Sequence, residues 1–194
     1  MKKYIEAKNV LDNHGIIAFP TDTVMGFGIY YDDYLAYCNL NKVKNRPEDK
    51  PYTMMVSSIK ELKKYAYLDK RLSRVIKAYM PGALTLLLKS KNVPDYVTHG
   101  TGVIGVRMPS NEAALSLLKY LKKPLLVPSA NRSGALPCIS SEEVKKTFGD
   151  EIGFILEGSC ASHTPSTVID FTKTKPVLVR GGTIKYEDVL DFYE

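Results

Sequence analysis

Short apolar runs, each cut off by proline, glycine or a polar turn, alternate with segments of helical period along all 194 residues, and this interleaving limits the fold more than any other feature. Tyr4, Ala7, Val10 and Leu11 recur at helical spacing, and Asn13-His14-Gly15 supplies a stop. Ile16 to Phe19 reads as a buried strand that empties at Pro20 into a loop. Further helices are predicted over about 33 to 43, 58 to 67, 70 to 79, 111 to 122, 141 to 148 and 185 to 193. Ser58 with Glu61 forms a capping box, and Pro81-Gly82 stops the third of these. Strands fit Thr53 to Val56, Leu84 to Lys89, Val103 to Met108, Leu125 to Ser129, Phe154 to Glu157, Thr167 to Phe171 and Val177 to Arg180. Where strands follow one another directly they pair without a crossover helix, so the expectation is an α/β fold with a twisted, mixed parallel and antiparallel sheet flanked by helices. No repeat or linker divides the sequence, and one domain over residues 1–194 is expected, with longer loops at 91 to 102 and 158 to 165.

Composition narrows the class. Apolar residues make up 44% and charged residues 25%, which is ordinary for a globular chain and unlike a disordered one. The longest apolar run, Leu84 to Leu88, is far shorter than the roughly 18 residues a membrane span needs. Charges at Glu6 and Lys8 replace the apolar stretch of a secretion signal. Three cysteines, Cys38, Cys138 and Cys160, are too few and too scattered for a disulfide framework or a zinc knuckle, and a cytoplasmic location is expected. A formal charge of +6 and a pI near 9.0 favour anionic partners, although lysine-rich helix faces give the same total.

Several motifs fail on inspection. Gly100-Thr-Gly102-Val-Ile-Gly105 matches GxGxxG but runs into a strand instead of opening a helix. There is no GxxxxGK[ST], so any nucleotide is held without that phosphate loop. Ser57 to Lys60 spells SxxK without its companion motifs, and helix capping accounts for the serines. Cys160 and His163 have a ligand-like offset but no convergent cluster, so no metal site is expected.

Seven other segments place polar groups on or at the ends of apolar strands or at a helix end. Phe19-Pro-Thr-Asp-Thr-Val-Met-Gly-Phe-Gly28 delivers two threonines and an aspartate, with two glycines that permit close approach to a ligand. Lys42-Val-Lys44-Asn-Arg46-Pro-Glu-Asp-Lys50-Pro51 sets four cations at a helix end, with prolines fixing the chain beside two of them. Such cations also complement a helix dipole. Pro81 to Thr85 and Val106-Arg107-Met-Pro109 each put a polar residue on or beside an apolar strand, and a buried Arg107 needs an anion. Pro128-Ser129-Ala-Asn131-Arg-Ser-Gly134 offers hydroxyl, amide and backbone donors suited to phosphate or sugar. Pro165-Ser166-Thr-Val-Ile-Asp170 and Val179-Arg180-Gly-Gly182 repeat the arrangement.

Taken in order, PTDTVMGFG, KNRPEDKP, MPGALTLLL, GVRMP, PSANRSG, PSTVID and VLVRGG resemble the motif series of the YrdC-like threonylcarbamoyl-AMP synthases, from about residue 10 to 185, in their short single-domain form. The family's usual tyrosine, tryptophan, proline and leucine are replaced by Met25, Met80, Ala83 and Tyr52, changes that bear on pocket shape more than on charge. The resemblance implies a nucleotidyltransferase that joins L-threonine, bicarbonate or CO2, and ATP with Mg²⁺ into threonylcarbamoyl-AMP and pyrophosphate. The product then passes to a transferase complex that modifies transfer RNA. It implies Lys44 and Arg46 as catalytic residues, Arg46, Lys50, Ser129, Asn131 and Arg180 as ATP ligands, and Thr23, Arg107 and Ser166 as threonine ligands. The alternatives are an RNA-binding module, for which no base-reading motif is present and only weak, salt-sensitive binding is expected, and a paralogue acting on another acyl adenylate.

Overall fold

The computed structural model describes residues 1–45, 51–160 and 163–193. In chain order the elements are α1 (Lys2–Asp12), β1 (Ile17–Phe19), β2 (Gly26–Tyr30), α2 (Tyr34–Lys44), β3 (Thr53–Met55), α3 (Ile59–Tyr65), α4 (Leu72–Tyr79), β4 (Leu84–Lys89), α5 (Asp95–Thr98), β5 (Val103–Arg107), α6 (Glu112–Leu121), β6 (Leu125–Leu126), α7 (Ser141–Phe148), β7 (Phe154–Ile155), β8 (Thr167–Asp170), β9 (Val177–Arg180) and α8 (Tyr186–Leu190). The strands form one sheet in the order β7-β1-β2-β6-β3-β5-β4-β8-β9. β1/β7, β3/β5 and β4/β8 pair parallel, and the other neighbours pair antiparallel. The expected single α/β domain with a mixed sheet is the observed one.

Side chains alternate between the sheet faces with the period of two that strands impose. Ala18, Phe27, Ile29, Met54, Leu84, Leu86, Leu88, Ile104, Val106, Leu126 and Ile169 enter the larger core, where α2, α3, α4, α5, α7 and α8 bury residues such as Leu40, Leu62, Val75, Val97, Val144 and Val189. On the opposite face Ile17, Phe19, Met55 and Leu125 pack under α1 and α6 through Leu11, Leu117 and Leu118. That second core reaches from β7 and β1 across β2 and β6 to β3. Beyond it, the alternating positions Thr85 on β4 and Arg107 on β5 belong to neither core and line a cavity instead. A half-covered sheet face thus leaves room for a polar site among strands that are otherwise apolar.

Several expectations need correction. The segment after Pro20 is not loop throughout, because Gly26–Tyr30 forms the fully buried strand β2. Its glycines make room for protein, not only for a ligand: a side chain at Gly26 would meet Val127 Cγ1 at 2.6 Å, and one at Gly28 would meet Phe19 Cε1 at 2.8 Å. The loop predicted over 91 to 102 also contains a helical turn, Asp95–Thr98, ended by His99 in the left-handed region. The strands read at 125 to 129 and 154 to 157 stop early, at Leu126 and Ile155, because the chain continues by single contacts: Val127 N–H donates to Thr53 O, Leu156 N–H donates to Ala18 O, and Ser129 bridges Gly26. Gly100 and Gly102 lead into β5, so the GxGxxG match is a strand entry. Ser58 caps α3 by accepting from the Glu61 N–H, while the Glu61 carboxylate turns back to the Ser57 N–H and hydroxyl.

Candidate functional site

The cavity holds about 130 Å³ and is walled by Thr21, Thr23, Thr85, Arg107, Ser129, Ser166 and Arg180, with Met25, Tyr52, Met55 and Val127 supplying apolar surface. At one end the loop after β1 is stiffened by its own hydroxyls. Thr21 Oγ1 donates to Val24 O at 2.7 Å and accepts from the Thr23 N–H at 3.1 Å, with Thr23 Oγ1 a further 3.0 Å away. The Thr21 proton is committed to Val24, so the Thr23 hydroxyl donates to Thr21. Thr23 Oγ1 also accepts from Arg107 Nη1 at 3.0 Å, leaving a lone pair as its remaining hydrogen-bonding capacity.

Arg107, at the end of β5, is 3% exposed. Its Nε donates to Gly82 O at 3.0 Å, so the loop between α4 and β4 orients the guanidinium. The anion that a buried arginine requires is Asp22, whose Oδ1 lies 2.8 Å from Nη2. Asp22 Oδ1 also accepts the Ser110 N–H at 3.2 Å. The ion pair is off axis, however: Nη2 has no aligned hydrogen-bond acceptor and is the one buried side-chain polar atom among the described residues in that condition. Burial pulls the Arg107 pKa below the ordinary guanidinium value and Asp22 pushes it back; the group stays cationic at neutral pH. A guanidinium that lines a cavity and is neutralised only by an off-axis carboxylate is suited to meet an anionic oxygen there.

Ser166 and Arg180 form the adjoining wall. Arg180 donates from Nε and Nη2 to Ser166 O at 3.2 and 2.9 Å and from Nη2 to Ser166 Oγ at 3.1 Å. Ser166 Oγ is also 2.9 Å from Thr85 Oγ1. The register depends on Gly182, where any Cβ would fall 2.4 Å from Pro165 O and Thr167 N, so the chain after Arg180 lies directly on the Ser166 backbone. Cys160 sits beside this end of the site: a Thr21 backbone hydrogen bond, Asp22 and Arg107 all act on its thiol, but burial dominates and raises its pKa. It is therefore a poor nucleophile.

The predicted site residues divide into groups. Thr23, Arg107, Ser166, Arg180 and Ser129 come together around the cavity. Asn131 and Lys44 belong to a clamp behind it. Lys44, 1% exposed, donates to Ser129 O at 2.5 Å, Asn131 O at 2.7 Å and Asn131 Oδ1 at 3.1 Å, and Phe27 lies 5.6 Å from its ammonium. Asn131 Oδ1 also accepts from Ser129 Oγ at 2.7 Å, and its amide donates to Ala135 O at 2.7 Å. Asn45 in the left-handed region ends α2 directly after Lys44. In this structure, then, Lys44 fixes the shape of the Pro128–Gly134 loop instead of facing the cavity. Arg46 and Lys50 lie outside the described residues. Sequence reasoning named the Asp22 segment without giving Asp22 a task and missed Thr21 as the residue that orients Thr23. The rule that a buried arginine needs an anion pointed toward the first, and the Thr-x-Thr spacing is a signal for the second.

Among the described residues no group of three or more His, Cys, Asp or Glu could hold a metal ion, and the one carboxylate beside the cavity, Asp22, is engaged by Arg107. No described helix is long and apolar enough to cross a membrane.

Comparison with known proteins agrees with the fold. A family model described as telomere recombination, Sua5_yciO_yrdC, matches residues 9–182. A threonylcarbamoyl-AMP synthase of Pyrococcus abyssi is 36% identical over 177 residues, which make up 90% of this chain and 52% of that protein. Escherichia coli YciO is 32% identical over 180 residues, 91% of this chain and 87% of its own length. The crystal structure of P. abyssi Sua5 complexed with L-threonine superposes with a TM-score of 0.93 at 34% identity, covering 98% of this chain and 57% of that one. Crystalline E. coli YciO gives 0.87 at 30% identity, with 95% and 91% covered. The chain thus spans about half the length of the P. abyssi protein and most of the length of YciO. With the fold, the motif order and these matches in agreement, the chain belongs to the Sua5/YciO/YrdC family.

Proposed function

We propose that this chain is an L-threonylcarbamoyladenylate synthase, a nucleotidyltransferase that makes threonylcarbamoyl-AMP and pyrophosphate from L-threonine, bicarbonate or CO2, and ATP. The observation that carries the reading is the buried Arg107 guanidinium in the wall of a polar cavity with Thr23 and Ser166, its Nη2 ion-paired with Asp22 only off axis. About 130 Å³ is below the roughly 300 Å³ at which pockets for larger ligands begin, and suits an amino acid whose carboxylate meets Arg107. A relative solved with L-threonine, of the same fold at 34% identity, supports the choice. The nucleotide then extends across the open side, with Arg180 and Ser129 on its phosphates. Arg46 and Lys50, next to the clamp in sequence, complete the phosphate site in this reading. Lys44 and Asn131 act by holding Ser129 in place.

In the proposed reaction the threonine amine adds to CO2 and loses a proton to give a carbamate. A carbamate oxygen attacks the α-phosphorus of ATP, the bond to the bridging oxygen breaks, and pyrophosphate leaves with the electron pair. No covalent enzyme intermediate is needed, and fixed cations stabilise charge on the α-phosphate and the leaving group. With Asp22 engaged by Arg107, Mg²⁺ arrives as part of the substrate, chelated by the ATP phosphates. We place the reaction in the cytoplasm, with the product consumed by a transfer RNA threonylcarbamoyl transferase complex.

Pyrophosphate release should require threonine and bicarbonate together, and mass spectrometry should show one new product containing both and AMP. Release that is unchanged when threonine is omitted overturns the reading. It would favour the paralogue acting on another acyl adenylate, to which the similarity with YciO and the Met25 and Tyr52 cavity walls also point.

A further inference from the structure

Thr85 is an anomaly on β4. It is 1% exposed in a strand of otherwise apolar side chains up to Lys89. Its hydroxyl has one hydrogen-bond partner among the described residues, Ser166 Oγ at 2.9 Å. Both residues line the cavity, and Ser166 is itself 4% exposed.

Only two proton arrangements satisfy this contact. If Ser166 donated to Thr85, the proton of the less exposed of the two hydroxyls would have no protein acceptor among the described residues, a costly state for a buried hydroxyl. If Thr85 donates to Ser166, that orphan disappears. Ser166 Oγ then accepts twice, from Thr85 and from Arg180 Nη2 at 3.1 Å, and the single uncommitted proton of the group is its own, at the cavity wall. Donation from a guanidinium further polarises the serine as a donor.

We infer that Thr85 is a positioning residue that sets the direction of the Ser166 hydroxyl, making Ser166 a donor toward an acceptor oxygen of the bound substrate. The Thr23 side of the cavity is complementary. The Thr23 hydroxyl is committed to Thr21 and offers only a lone pair, so a ligand is asked for a donor at Thr23 and for acceptor oxygens at Ser166 and Arg107. An amino acid whose donor group and carboxylate lie a few bonds apart meets both demands; a ligand with donors at both ends does not. The identity of that ligand as threonine rests on the function proposed above, whereas the direction of the Thr85 proton does not.

The test has two parts. In the ligand-free protein, NMR should show a slowly exchanging Thr85 hydroxyl proton with a through-space contact to the Ser166 methylene, and Ser166→Ala should abolish it. A protected hydroxyl proton on Ser166 directed at Thr85, or none on either residue, overturns the inference. In calorimetric titrations with L-threonine, Thr85→Val should weaken binding about tenfold, the size of one ordinary hydrogen bond. Thr85→Ser, which keeps the hydroxyl, should stay within about twofold of the parent, and in a Ser166→Ala background Thr85→Val should add less than about twofold. Additive losses, or failure of Thr85→Ser to restore binding, would mean that Thr85 is only packing and would overturn the inference. Absence of threonine binding in the parent protein, with the NMR result as expected, would count against the proposed function and leave the proton direction standing.

Discussion

The Lys44 ammonium and the Arg107 guanidinium are almost equally buried, 1% and 3% exposed, and differ in what meets them. Among the described residues Lys44 meets three acceptors, from the loop at Ser129 and Asn131. Arg107 is fixed at Nε by Gly82 and at Nη1 by Thr23, but its Nη2 faces Asp22 off axis and has no aligned acceptor. A buried cation whose protons are all taken by carbonyls is a clamp, and its removal orphans the acceptors. One that lines a cavity with its carboxylate partner off axis is suited to take a ligand anion. The two regions turn the same expense, a desolvated charge, to different ends.

The largest effect that distinguishes these roles is in substrate choice. If Thr23 and Ser166 serve a hydroxyl amino acid, valine leaves buried polar groups unpaired and should lose roughly 10⁴-fold in kcat/KM, whereas serine, lacking one methyl, should lose about 10- to 200-fold. Rates with the three amino acids at saturating ATP and bicarbonate check this; valine equal to serine would mean that the cavity reads shape alone.

Next comes the pair of cations itself. Arg107→Met should weaken L-threonine binding about 100-fold, the upper range for a hydrogen bond to a charged group. Lys44→Met should change it less than about threefold while lowering stability by about 2 to 4 kcal/mol, since acceptors in the clamp lose a donor. Calorimetry and thermal unfolding on both variants separate the roles. Similar profiles for the two would erase the distinction.

A smaller effect is expected at Arg180, which stands on an exposed edge strand and also holds Ser166. Arg180→Ala should lose about tenfold in activity, measured as pyrophosphate release. Lys119→Ala, in the last turn of α6, should do little. Equal losses would show that general surface charge, not the site, is responsible.

Much of this arrangement was legible in the sequence. β4 and β9 have the bounds that their apolar runs predict. Arg107 was readable as a buried cation in need of an anion because it ends an apolar strand. β2 was not readable: Gly26 and Gly28 look like loop residues, and only the proximity of Val127 and Phe19 shows why a strand needs them. Nor was the task of Lys44. A lysine at a helix C-terminus beside further cations reads as a phosphate ligand, and nothing local reveals that residues 85 and 87 positions later supply its acceptors. The same holds for Thr85 and Ser166, 81 positions apart. Local pattern specifies which side chains are buried; the tertiary fold decides which partners they meet.

The central claim, that the Arg107 guanidinium meets the carboxylate of threonine, is tested most directly by titrating the protein with L-threonine and with L-threoninol, which keeps the amine, the methyl and the hydroxyl but replaces the carboxylate with an alcohol. L-Threonine should bind and L-threoninol should bind at least about 100-fold more weakly, the difference collapsing to within a few-fold in Arg107→Met. Equal affinity for the two ligands in the parent protein would contradict the account.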